Sequence, residues 1–594
     1  MPRFLQACLI PLLALGICVP RCPADEGKSL TPTPDAKGST KPTTTAPPKT
    51  PRATGAEDSN SNVRDPLRDM QSSAIEEQTA SWGHWGNQPD HYSTWVNHSN
   101  RLIPVYTFGI TLGDLREQGS AYADPKRLEQ LYGKVPEQTL NPTAMYFDQT
   151  DIFQLQHAAL DAGYSNIILM IFDGMDWQTT RATSLYKQQQ YESGRGTGLA
   201  IQDDRRVTTD FGLVCTSPRL AGVKFDVNSQ TVLDSNLEPT GGYDPTRGGE
   251  APWLEQPNRE YLLGIDREQP HTVTDSAASA TSMTCGVKTY NGAIAVTEDG
   301  TQLTPIGRVL QQQDDFKIGV VTSVPVTHAT PACAYANNVS RKDYQDIGRD
   351  LLGLRSSAHR NEPLSGVDVL LGGGWGEHKD EDEAQGDNFV PGNPYLHEED
   401  IRKSDLKHGG KYVVAQRTPG KSGRRVLRSA TRQAVDGDHR LLGFFGVDGG
   451  HLPFQTADGQ YDPAVDVKAA EEYSAEDLNE NPTLAELTRA ALLVLEQAID
   501  GFWLVVEAGD VDWANHSNNI DNAIGSVLSG DDAFRVILDW VDENDAWSYT
   551  AVIVTADHGH YLVIDEPDRF VQAGKEASHR ASARRKQQPA DSAE

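Results

Sequence analysis

The sequence predicts an α/β protein with a doubly wound, mostly parallel central sheet, helices on both faces and insertions at the carboxyl edge of the strands. Two observations carry this. From Ser81 onward, short apolar runs alternate with amphipathic stretches, as expected when buried strands are covered by helices on both sides. Several of these runs then stop at a carboxylate or lead into a histidine, and the carboxyl edge of an open α/β sheet is where ligands bind.

Taken in chain order, the run Asn166–Phe172 stops at Asp173, and the run 317–322 leads into Thr327, His328, Ala329 and Thr330. The run 367–371 stops at three glycines, 502–506 stops at Glu507, and 551–556 stops at Asp557 and His558. One strand ending in a carboxylate is ordinary. Three such ends, with a fourth strand leading into His and Thr, read as one site assembled from distant segments. The stretch before the 502–506 run supports the strand reading: Thr483 and Glu486 form a capping box, while Leu484, Leu487, Ala491 and Leu495 share one helical face. Gly501 closes this helix just ahead of the strand. Residues 200–262 and 375–440 are polar, Gly-rich and charged, and read as insertions over the sheet, not as separate domains.

At average domain size the 594 residues would make about three or four domains, but single enzyme domains of this length exist. Lys and Arg number 53 against 84 Asp and Glu, a formal charge of -31, which excludes nucleic-acid binding through a basic surface. After residue 25 no uncharged apolar run approaches the roughly 20 residues that a membrane-spanning helix needs, so no transmembrane segment is expected. Arg3, the apolar stretch from Phe4 to Val19 and the pattern Cys22-Pro23-Ala24 have the shape of a secretory signal, 1–24, and predict export to the periplasm or the extracellular space. Ile17 and Arg21, which precede Cys18 and Cys22, do not suit lipid attachment. Three of the six cysteines lie in this leader, and Cys215, Cys285 and Cys333 make no disulfide framework. Residues 25–80 are rich in Pro, Thr, Ser, Lys and Asp with almost nothing to bury, and are predicted to be a disordered tether. Residues 81–594 are read as one domain.

Two constellations could carry chemistry. After Asp275, a natural cap, a helix of Ala, Ser and Thr begins at Ser276. The Ser276 hydroxyl would face the positive end of the helix dipole, which suits a nucleophile handling an anion. A small-residue helix buried for tight packing is the plainer reading of the same residues. Asp512 and His516 stand at i and i+4, hence on one helix face, with Glu507 just before them. That pairing suits zinc or magnesium rather than copper, or else a salt-bridged helix start. Asp557 and His558 repeat the pattern at another strand end, whereas His560 reads as a loop histidine rather than a ligand.

Asp173-Gly-Met, the block from Thr274 through Asp275 and Ser276 to Thr281, His328-Ala-Thr330-Pro, Arg341, the series Glu507, Asp512, His516, and Thr555-Ala-Asp-His558 together resemble the alkaline phosphatases in order and spacing, over residues 165–560. The resemblance implies an alkaline-phosphatase-like fold and hydrolysis of small-molecule phosphate monoesters. Position by position, it implies that Ser276 becomes phosphorylated and that Arg341 clamps the phosphate with a planar, bidentate donor. Asp173, Asp557 and His558 resemble the ligands of the zinc that activates Ser276. Asp512 and His516 resemble two of three protein ligands of a second zinc. Glu507, Thr330 and again Asp173 resemble a magnesium site. His328 stands where relatives carry Asp or His, which leaves the identity of this third metal open. Two close divalent ions would neutralise phosphate oxygens and lower the hydroxyl pKa, and two in-line displacements imply retention at phosphorus. Since the family is often dimeric, a homodimer is a further implication.

In the family the third ligand beside the Asp512/His516 pair is a histidine in a His-Thr motif near the end of the chain. Here the one late histidine, His579, is followed by Arg580, and the role is not carried onto it. The resemblance therefore implies a domain missing its C-terminal part, one incomplete zinc site and slow turnover unless zinc is in excess. Two alternatives stay open: a phosphodiester or sulfate-ester hydrolase of the same architecture, and a weakly active metal- or phosphate-binding relative.

Overall fold

The computed structural model describes residues 65–587, apart from 86–97, 101, 111–117, 192–195, 205, 214–215, 219–222, 235–240, 252–260, 262–272 and 463–471. The leader 1–24 and most of the expected tether lie outside the described residues, as does Cys215. All described residues belong to one compact unit.

Among them, nine strands form the central sheet: β1 (Leu102–Phe108), β2 (Asn166–Phe172), β3 (Thr208–Leu213), β4 (Lys317–Pro325), β5 (Val369–Gly373), β6 (Tyr412–Gln416), β7 (Arg440–Phe444), β8 (Phe502–Ala508) and β9 (Thr550–Thr555). Their order across the sheet is β3-β1-β9-β2-β8-β4-β5-β7-β6. From β9 to β6 every pairing is parallel; β1 joins β9, and β3 joins β1, antiparallel. The predicted α/β sheet is present, with each predicted strand within a few residues of its expected bounds.

The strands explain the layering. Every residue of β2, β8 and β9 is buried, so these central strands need apolar cover on both faces. Side chains alternate along β2: Ile167, Leu169 and Ile171 join one core with Ala277, Ala280 and Met283, while Ile168, Met170 and Phe172 join the opposite core with Leu487, Ala491 and Leu495. The helix Leu484–Leu495 carries the expected box, with Thr483 and Glu486 satisfying each other's backbone N–H groups.

Two expectations are corrected. The stretch 375–440 contributes β6 and the covering helix Gly423–Gly437, and 200–262 contributes the edge strand β3, so both build the sheet as well as lying over it. Within 375–440 the buried Tyr412, Val413 and Ala415 and the helix residues Leu427, Ala430 and Ala434 are short apolar segments inside a polar stretch, and they carry these elements. The tether ends earlier than 80: Asp65 caps a helix, Pro66–Glu77, whose Gln71 side chain accepts from Ile520 N at 2.7 Å and donates to Asn519 Oδ1 at 3.1 Å. Pro567–Gln587 forms a helix that buries Phe570 against Trp82. No described helix is long and apolar enough to cross a membrane.

Candidate metal centre

Four neighbouring strands, β9, β2, β8 and β4, end side by side: Thr555 pairs with Ile171, Ile171 with Glu507, and Glu507 with Thr322. The residues that follow these ends therefore converge although hundreds of positions separate them. Asp173 follows β2, Asp557 and His558 follow β9, His328 and Thr330 follow β4, and Glu507 leads from β8 into the helix Asp510–His516.

Ser276 is the first residue of the helix Ser276–Cys285, and the Asp275 side chain caps it by accepting from Ala278 N at 2.9 Å. Only 2% of Ser276 is exposed. Its Oγ lies 3.3 Å from His558 Nε2, which also stands 3.3 Å from Asp173 Oδ1 and from Asp557 Oδ2. Ser279 Oγ donates to the Asp557 carbonyl at 2.8 Å and ties this helix to the ligand-bearing loop. Asp173, Asp557 and His558 present donor atoms within 4.8 Å of one another. Asp173 Oδ1 and Asp557 Oδ2 are buried without a hydrogen-bond partner, and buried carboxylate oxygens in that state are costly unless a cation joins them. Burial pushes the Asp173 carboxyl well above its usual range, and Asp557, Asp512 and Glu507 push it further, so the cluster demands positive charge. One imidazole and two carboxylates suit zinc.

Glu507 is pushed up to about 7, chiefly by burial, although the Thr322 hydroxyl donates to its Oε2. Thr330 lies against the same carboxylate, its buried Oγ1 satisfied by no other hydrogen bond. With Asp173 alongside, this is an oxygen-only donor set of the kind magnesium takes. His328 packs among aromatic rings. Among the described residues it joins neither imidazole-bearing donor cluster; its ring stacks 5.5 Å from Tyr344 and packs beside Tyr395 and Trp513. Burial, reinforced by Arg341, pulls its pKa down to about 3, so the ring is neutral. Arg341 Nη1 donates to Asp275 Oδ2 at 2.9 Å, which sets the guanidinium beside the cap of the Ser276 helix.

The second donor cluster is His98, Asp512, His516 and His560. Two corrections follow. His560 is not a plain loop histidine: it is 1% exposed and its Nε2 lies 2.6 Å from Asp512 Oδ1. Gly174, at φ +70°, makes room for it, since a Cβ there would sit 2.7 Å from the His560 ring. The expected shortage of protein donors beside Asp512 and His516 is likewise overturned, because two more imidazoles converge there. Burial alone would raise the Asp512 carboxyl, but His516, His560 and His98 around it win and hold it well below the usual range. His98 was missed by the sequence reading. Its only signal is the His-hydroxyl pair His98-Ser99, which lies far ahead of the other ligands rather than beyond them.

The sequence model of the family described as Alkaline phosphatase matches residues 261–590. Alkaline phosphatase 3 of Bacillus subtilis is 30% identical over 304 residues, which cover 50% of this chain and 53% of that protein. An alkaline phosphatase of Escherichia fergusonii is 30% identical over 350 residues, covering 57% of this chain and 68% of that one. The chain spans about half the length of the first curated relatives it matches. Among solved structures, Thermus thermophilus alkaline phosphatase aligns with a TM-score of 0.40 at 24% identity, over 67% of this chain and 60% of that one.

Proposed function

Because the chain belongs to the alkaline phosphatase family, we propose that it hydrolyses phosphate monoesters through a phosphoserine on Ser276, in a centre loaded with two zinc ions and a magnesium. The observation that carries the reading is the buried Ser276 Oγ, at a helix start and 3.3 Å from an imidazole that also faces two carboxylates.

Asp173, Asp557 and His558 would hold one zinc, Asp512 and His516 would belong to the other, and Glu507, Thr330 and Asp173 would hold magnesium. Such ions supply neutralisation of phosphate oxygens and lower the pKa of a hydroxyl or water. The chain's own residues do the rest. The amino end of the Ser276 helix presents positive potential to the incoming dianion. Arg341, steadied by Asp275, keeps further N–H donors for phosphate oxygens and fixes their orientation. Ser276 Oγ attacks phosphorus, the ester P–O bond breaks, and the alcohol departs with a proton. Water then attacks the phosphoserine, the Ser276 Oγ–P bond breaks, and inorganic phosphate leaves with retained configuration. His328, neutral and stacked on Tyr344, stands near Arg341. The signal-like residues 1–24 support export to the periplasm or beyond.

Turnover of p-nitrophenyl phosphate against bis-p-nitrophenyl phosphate, with metal analysis on the same sample, tests this reading. The monoester is expected to be hydrolysed much faster. Preference for the diester would overturn it.

A further inference from the structure

We propose that His98, from the segment ahead of the first strand of the sheet, is the third protein ligand of one cation held by Asp512 and His516, and that His560 is a positioning residue for Asp512 rather than a ligand. The proposal rests on reading the centre as a metallophosphatase site, and it concerns how this chain completes that site.

The distances separate the two histidines. His98 Nε2, His516 Nε2 and Asp512 Oδ1 form a triangle with edges of 3.0, 3.6 and 3.7 Å. Donors about 2.0–2.1 Å from a tetrahedral zinc stand roughly 3.3 Å from each other, so all three atoms fit around one ion. His560 Nε2 lies 2.6 Å from Asp512 Oδ1, too close for two ligands of one ion and right for a charge-assisted hydrogen bond. An ionised carboxylate only accepts, so His560 Nε2 carries the proton and has no lone pair to give.

The tautomer of His98 points the same way. Its Nδ1 lies 3.1 Å from the Thr274 carbonyl oxygen, which also only accepts. In the neutral ring the proton is then on Nδ1, and the lone pair is on Nε2, aimed at His516 and Asp512. A backbone carbonyl behind the distal nitrogen is the support that metal-bound histidines use.

The fold delivers His98 by backbone pairing. Ser99 N donates to the Gly559 carbonyl at 2.7 Å, and Gly559 N donates to the Ser99 carbonyl at 3.2 Å. This locks the residue after His98 to the residue between His558 and His560. The His98 ring then stacks on His558 with centroids 3.9 Å apart, and β1 continues along β9 from Val105 opposite Thr555. Although 418 positions separate His98 from His516, the ligand is as firmly placed as those on the strand ends.

The test uses the full chain and reads metal, not turnover. Zinc binding by the wild-type protein is compared with His98→Ala, His560→Ala and His579→Ala, and cobalt(II)-loaded His98→Cys is examined by absorption. His98→Ala is expected to lose one tightly held zinc, with affinity at that site falling more than about 100-fold, beyond the roughly 10–100-fold of a lost outer partner expected for His560→Ala. His579→Ala should bind as wild type. Cobalt-loaded His98→Cys should gain a thiolate-to-cobalt band in the near ultraviolet, and this readout decides if the alanine variant does not fold. Unchanged zinc content and affinity in a folded His98→Ala, or cobalt bound at this site by His98→Cys without the band, would overturn the proposal. A protein that binds metal as described but does not hydrolyse p-nitrophenyl phosphate would overturn the phosphatase reading while leaving the ligand assignment standing.

Discussion

The guanidinium of Arg341 donates to the Asp275 carboxylate at 2.9 Å, and the same Asp275 caps the helix that begins at Ser276. In the proposed centre, phosphate recognition by Arg341 and placement of Ser276 would share the Asp275 side chain. Arg341→Ala is expected to weaken phosphate inhibition by about tenfold or more, the order of about 1.5–3 kcal/mol for a hydrogen bond to a charged group. KM should rise more than kcat falls, because a contact made in ground and transition states alike is lost from both. Arg341→Lys should recover little, since an ammonium cannot reproduce the fork. Inhibition assays with inorganic phosphate check this; unchanged affinity counts against the assignment.

Ser276→Ala is expected to keep the fold and the metals, lose the phosphoenzyme and drop kcat by at least about 10³, the scale of removing a nucleophile. Acid-quench trapping with labelled substrate measures it. A phosphoenzyme formed by the alanine variant would place the nucleophile elsewhere.

Burial pushes Glu507 from 4.5 up to about 7. The folded, metal-stripped protein therefore holds more protons than the unfolded chain between those values, and stability falls as pH rises through that window, by up to about 1.4 kcal/mol per pH unit for one group. Glu507→Gln should make the decline shallower, while Asp173 and the buried carboxyls of Asp151, Asp343 and Asp350, which burial also raises, keep part of it. Magnesium, which binds the deprotonated form, should restore stability above pH 7 in wild type more than in the variant. Thermal melts of metal-free protein from pH 4.5 to 8 test the sign; a rise in Tm across that range would refute it.

Phe570 is fully buried in the helix Pro567–Gln587, edge-on to Trp82 with centroids 5.9 Å apart. Phe570→Ala should cost about 3–5 kcal/mol, as truncation of a core aromatic does. Denaturant unfolding measures it, and a loss under about 1 kcal/mol would show that the tail helix does not dock.

Local chemistry made part of this protein legible in its sequence. The runs that became β2, β8 and β9 are apolar throughout because they are covered on both faces, and Asp275 and the Thr483/Glu486 box announce helix starts because capping needs only nearby residues. Those same strands ended in Asp173, Glu507, Asp557 and His558, so most of the centre could be read from where each run stopped. Tertiary structure decided the rest. His98 and His560 sit in short polar stretches with no periodicity of their own, and His98 precedes every other residue of the two donor clusters, whereas a reading in chain order seeks its partner after Asp557 and His558. The antiparallel seating of β1 on β9 and the Ser99–Gly559 pairing bring it home, and such non-local hydrogen bonds leave no local pattern. His328 marks the opposite limit: its place after β4 was legible, but its stacking on Tyr344, 16 positions on, depended on how the Tyr344–Leu352 helix packs.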